Sequence, residues 1–457
     1  MVVSTVLEAD LLVLHGLPRS AVDQLYANCD GSVLDVPIRT ALAIAVAICS
    51  TLPLSGQVDP LRAEAYFKEA KAFCDRDGGR LWGISLCGPM VIADPATGTI
   101  ATNQPPPEGA RPRNLGFANA TTKWGGVEWS TFNWQVLSSF DKPSRGLLMM
   151  HELFHRVERP LGLMTDDGQN SHLDTLEGRY WQLLEWRALA RALGSSGTER
   201  TSAVQDALRF RYARRQLFPA AAANEVLEEI REGLAQYTAT VTTASSPQDA
   251  ASSAIRQLAD YAQRESLVRD FAYASGSAYG ILLDAWSPGW TRQVKGPEDL
   301  AERLRIAGGI AVPGLDSRAT AERAAQRYDS TSLRSAEEKR DAERKAKVAE
   351  LRKRFVDRPV LVLPNAGGTF SSSGITPIPG VGTVFPEVHV TAEWGVLQAA
   401  QVLRPDDRSN ITVPAPASVQ GSTLEGDGWT LRIAPGWVVG AGNRPGDFQL
   451  VRNVPRQ

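Results

Sequence analysis

The sequence predicts an α+β protein in three successive parts: a small antiparallel sheet, a mainly helical domain, and a C-terminal all-β domain of sandwich or barrel form. Three observations carry this expectation. Short apolar runs broken by Gly and Pro fill residues 80–137, and helical periodicity with few breakers fills 146–290. After Arg358, strand-like text returns with Gly and Pro at short intervals. A sheet followed by a run of helices reads as α+β and not as alternating βαβ units.

The N-terminal stretch has its own character. After Arg39, residues 40–56 are uncharged and run from Thr40 through Ile48 to Gly56. That length suits the core of a signal peptide better than a bilayer span, and assigns 37–56 as a signal-peptide-like segment. Because such a segment belongs at the start of a chain, residues 1–36 read as a non-native extension. A buried core helix is the competing reading of the run. Beyond it only Cys74 and Cys87 remain, a pair suited either to one disulfide in an oxidising compartment or to two buried thiols.

Within a main domain expected at 57–310, Leu61, Ala65, Phe67, Ala70 and Phe73 mark a first amphipathic helix. Leu81–Leu86, Met90–Ala93 and Thr99–Thr102 read as strands around turns, and Lys123–Leu137 continues strand-like. Helices follow near 146–157, 172–194, 199–217, 221–242, 248–263 and 265–285, ended by Gly194–Gly197, Phe218-Pro219, Ser245–Pro247 and Ser287–Gly289. Residues 311–358, including the mixed-charge run from Ser335, read as a solvated helical linker. Val360–Leu363, Glu387–Val390, Trp429–Ile433 and Trp437–Val439 are the strands of a β domain spanning 359–457.

Bulk properties narrow the function classes. Against 49 Lys and Arg stand 51 Asp and Glu, a net charge of −2 that makes no electrostatic case for nucleic acid. A mean hydropathy of −0.20 excludes a polytopic membrane protein, so no stable span is expected in the mature chain. The sequence does not reveal an oligomeric state.

The chemistry concentrates in His151-Glu152-Leu153-Phe154-His155. On a helix, positions i and i+4 share one face, so both imidazoles can bind one metal ion with Glu152 beside the water it activates. The chain has only five His, so this spacing arises by chance in roughly 0.003 of sequences of its composition, which favours a real site. Zn2+ suits two imidazoles plus a carboxylate with one position left open. The motif resembles that of the gluzincins, HExxH zinc peptidases of the thermolysin-like and aminopeptidase N-like kinds. Their third ligand is a Glu on a later helix. Arg156 departs from the uncharged residue usual after the second His.

Two glutamates compete for that third position. Glu232 lies in Arg231-Glu-Gly-Leu-Ala-Gln-Tyr237, which is similar to the segment carrying the ligand in the aminopeptidase-type enzymes, except that Arg231 stands where Asn is usual. Glu177 lies at nearer the family's usual interval and falls on the stripe Leu173, Leu176, Tyr180, Leu184. The one not used is expected to orient a ligand His or to pair with Arg179 or Arg187, and His172 is a further candidate ligand. The resemblance also implies an oxyanion-stabilising group, for which Tyr273 comes first and Tyr279 second. The resulting expectation is a secreted or periplasmic zinc peptidase acting on peptide or protein substrates, with Glu152 as general base. The alternatives are a non-catalytic metal-binding or envelope-associated interaction protein, and a metal-free scaffold.

Overall fold

In the computed structural model, residues 57–453 are described, apart from 113, 167, 372 and 373. The signal-peptide-like segment and the extension before it lie outside the described residues. Helix α1 (Pro60–Asp77) opens the body, capped by Asp59, whose carboxylate accepts the Leu61 and Arg62 amides, and ended by Gly78 in the left-handed region. Strands β1 (Met90–Ala93), β2 (Ile100–Thr102), β3 (Ala120–Trp124) and β4 (Val127–Asn133) form one sheet in the order β2-β1-β4-β3. The β1–β2 and β3–β4 pairings are antiparallel, and β1–β4 is parallel, which makes this small sheet mixed.

Leu81–Leu86, expected as a strand, is instead a tight loop. Gly79 and Gly83 both take positive φ, and the Leu81 amide bonds the Asp77 carboxylate and not a neighbouring strand. The loop is fastened from far along the chain. Thr291 donates to the Leu81 carbonyl at 2.5 Å, and Arg292 donates to the carbonyls of Gly79 and Arg80. Trp82 packs against both Trp290 and Phe154, ring centroids 6.5 and 5.0 Å apart.

After a short α2 (Trp134–Ser139) come α3 (Lys142–Leu161), α4 (Leu176–Leu193), α5 (Gly197–Leu217), α6 (Ala221–Glu228), α7 (Leu234–Thr243), α8 (Pro247–Ala262), α9 (Phe271–Trp286), α10 (Leu300–Ala307) and α11 (Arg318–Ala325). A π-turn, Glu229–Gly233, joins α6 to α7. One hydrophobic core runs through this body from Val58 to Leu333 and includes Trp181, Trp186, Phe210, Phe271 and Trp290. At its centre is a buried ion network: Arg211 and Arg214 pair with Glu185, Glu225 and Glu229 across α4, α5 and the α6–π segment. Such a network is costly unless every charge is matched, so these helices are held in one register.

The mixed-charge run forms α12 (Ser330–Arg352), extended by a π-turn at Lys353–Asp357. It is not the solvated spacer expected. Glu337 and Asp341 are buried, Arg179 of α4 pairs with Glu337, and Arg334 pairs with Glu177. Its far end, Leu351 and Phe355, packs with Ile378, Val384 and Leu403 of the β domain.

Among the described residues that domain is one ten-stranded sheet. Its longest strands, Gly382–Ala392 and Gly395–Pro405, form a hairpin, and Val360–Pro364 pairs with Asn410–Pro414 on one side and Phe448–Arg452 on the other. The sheet bends around a core of Trp394, Leu397, Val390, Leu361 and Trp429 but does not close, so it is not a barrel. Among the described residues no helix is long and apolar enough to cross a membrane.

Candidate metal centre

Helix α3 carries the site because its sequence fixes both ends and one face. Asp141 accepts the Ser144 amide at the start, and Gly162 (φ 73°) stops the helix after Pro160. Met150, Leu153, Phe154 and Val157 are buried with His151 and Glu152. Ser130 of β4 donates its hydroxyl to the Glu152 carbonyl at 2.9 Å, tying the sheet to this turn of the helix.

Three side chains converge there. The Nε2 atoms of His151 and His155 lie 3.0 Å apart. The Oε2 of Glu232 is 3.2 Å from the first and 3.6 Å from the second. Glu232 arrives from the π-turn, in which both Glu229 and Glu232 are buried. Such turns recur at functional sites. Gly233 lets this segment cross α9 closely: a Cβ on Gly276 would lie 2.2 Å from the Gly233 Cα. Each residue offers one ligand atom, all within 4.8 Å of one another. The other such cluster among the described residues is Cys74, Asp75 and Cys87, where the two sulfurs are joined in a disulfide, Cα atoms 5.3 Å apart.

The electrostatics suit a cation. Burial pulls the His155 imidazolium down, yet its hydrogen bonds to Glu158 and Glu232 outweigh burial and lift it to about 10. Burial likewise pushes the Glu232 carboxyl up, and the two imidazoles more than reverse this, holding it far below the carboxylate range. For Glu152 burial wins over His151 and His155, so its carboxyl is raised. The donor set of two imidazole nitrogens and one carboxylate oxygen fits Zn2+, although other divalent ions share that preference.

Tyr273 of α9 stacks on the His151 ring, centroids 5.3 Å apart at 13°. Its hydroxyl is raised by burial and then by the Glu232 charge. The remaining candidates lie elsewhere. Glu177 pairs with Arg334 at 2.6 Å and Arg318 at 3.6 Å, and accepts the Trp181 indole N–H; it is not brought to the histidines and does not use Arg179 or Arg187. Its cation comes from α12, more than 150 residues on, which no local pattern shows. Tyr279 is fully buried and donates to Glu185, while His172 bonds Glu225; both belong to the ion network. Arg156 turns away from the site and donates to the Leu86 and Cys87 carbonyls.

Two residues were missed. Glu158 holds the His155 Nδ1 at 2.8 Å, and its i+3 spacing from that histidine was a readable signal. Tyr261 stacks on Tyr273, centroids 5.8 Å apart, a contact with no sequence signature. No protein-family model matches the chain, and neither a curated protein nor a solved structure matches it.

Proposed function

We propose that this chain is a zinc-dependent peptidase of the gluzincin kind. The convergence of His151, His155 and Glu232 on one point, with Glu152 on the same helix, carries the reading. Zn2+ held by those three residues would supply a Lewis acid for a peptide carbonyl and lower the pKa of a nearby water. Glu152, its carboxyl raised by burial, is matched to take a proton from the attacking water and return it to the departing amine. Glu158 fixes the ring orientation of His155. Tyr273, stacked on the His151 ring, would donate its hydroxyl to the oxygen that becomes negative. The Cys74–Cys87 disulfide supports a secreted or periplasmic setting, where such bonds persist.

The test is the metal content of the purified chain after zinc is supplied, wild type beside His155→Ala, Glu232→Ala and Glu177→Ala. The expected result is about one zinc per chain, lost with His155 or Glu232 and kept without Glu177. Absence of metal from the folded wild type would sink the proposal.

A further inference from the structure

Tyr273 is not held by its own helix alone. Its ring also stacks on that of Tyr261, on the last turn of α8, at 17° and 5.8 Å. Residues 263–270 join the two tyrosines, and α12 reaches this connection once directly and twice through an intermediate residue. Arg179 donates to the carbonyls of Ala262 and Arg264 at 2.9 and 2.8 Å, and its own charge is met by Glu337 of α12. Asp174 accepts the Ser266 hydroxyl and the Leu267 amide, and its carbonyl in turn accepts Arg340 of α12. Lys347 of α12 pairs directly with Glu265 at 2.8 Å. Arg179 and Glu337 are both buried, so neither is a loose surface contact.

A mixed-charge helix that served only as a tether would have no reason to bury Glu337 against the arginine that holds this short loop. The contacts converge on the segment that sets Tyr261 and Tyr273, and through Tyr273 on the face of His151. We propose that Glu337 and Arg179 of the α12 contact, acting through Tyr261, are positioning residues for Tyr273, so that the helix leading into the β domain completes the metal centre. This rests on the peptidase reading for its catalytic meaning, but the placement of Tyr273 can be tested without it.

The test uses the full chain with 3-fluorotyrosine introduced at position 273 and followed by fluorine NMR, in wild type, Tyr261→Ala, Tyr261→Phe and Glu337→Gln. Arg340→Gln replaces the last variant should it fail to fold. The expected result is one dispersed resonance in the wild type, moved towards the free amino acid's shift by Tyr261→Ala and Glu337→Gln, and restored by Tyr261→Phe, which keeps the ring. With zinc bound, hydrolysis of fluorescein-labelled casein should fall about tenfold in kcat for Tyr261→Ala, with KM nearly unchanged and zinc content intact. A resonance unmoved in folded Tyr261→Ala and Glu337→Gln would overturn the proposal. A chain that takes up no zinc, yet shows the fluorine shifts, would overturn the peptidase reading and leave the positioning intact.

Discussion

Glu152 and Glu232 are both buried beside the same two histidines, yet their surroundings push them in opposite directions. Glu232 has both imidazoles within reach of one oxygen, which hold its carboxyl far below the carboxylate range. For Glu152 burial dominates, which brings its carboxyl nearer the range where it can exchange protons at neutral pH. Glu152→Gln should therefore keep its zinc while losing hydrolysis by at least about a hundredfold, measured as metal content and rate on one preparation. Loss of zinc in that variant would mean Glu152 belongs to the ligand set. The imidazole of His155 gives a second expectation. Without metal it holds a proton up to about pH 10, so at pH 7 a zinc ion must displace that proton to bind. Titrating zinc into a weakly buffered solution should release about one proton per chain, and affinity should rise with pH until about 10. Uptake without proton release would show that His155 is already neutral.

At the scale of elements, the crossing of the π-turn segment with α9 decides where Glu232 and Tyr273 stand relative to each other. In an ordinary helix Gly→Ala gains roughly 1 kcal/mol. At Gly276 the sign should reverse, because the new methyl meets the Gly233 backbone and no flexible side chain can yield. The expected cost is about 1–3 kcal/mol, read from urea unfolding, together with weaker zinc binding as Glu232 is displaced. A stabilised Gly276→Ala would show that the crossing is looser than drawn. Much of this scale was legible. The helix of His151 and His155 announced itself through spacing, and the segment around Glu232 through its similarity to the ligand-bearing segment of the aminopeptidase-type enzymes. The π-turn did not, since one extra residue in a turn is chosen by what the interior must accept. Nor did the partner of Glu177: the apolar stripe placed it near the core, but its cation sits on α12. Mixed charge along α12 looked solvated because periodicity does not say which charges have partners elsewhere.

For the molecule as a whole, the disulfide joins the end of α1 to the segment entering β1, across a separation of 13 residues. Closing a loop of that size in the unfolded chain should stabilise the fold by about 3 kcal/mol. Urea unfolding with and without reductant measures it, and an unchanged midpoint would show that the native packing already carries the constraint. The three-part order of sheet, helical body and β domain was readable from composition and periodicity. The boundary near residue 311 was not, because Ala321, Ala324, Ala325, Tyr328 and Leu333 belong to the helical core. The fastening of Leu81 by Thr291 bears on how the body assembles. Those residues stand 210 positions apart, so the contact pays its loop-closure entropy only after most of the helices exist. Phe154, between His151 and His155, receives Trp82 from that loop, and Trp82 in turn packs on Trp290. A chain emerging from synthesis thus completes the fastening of this loop, beside the helix of His151 and His155, only once residue 291 has arrived.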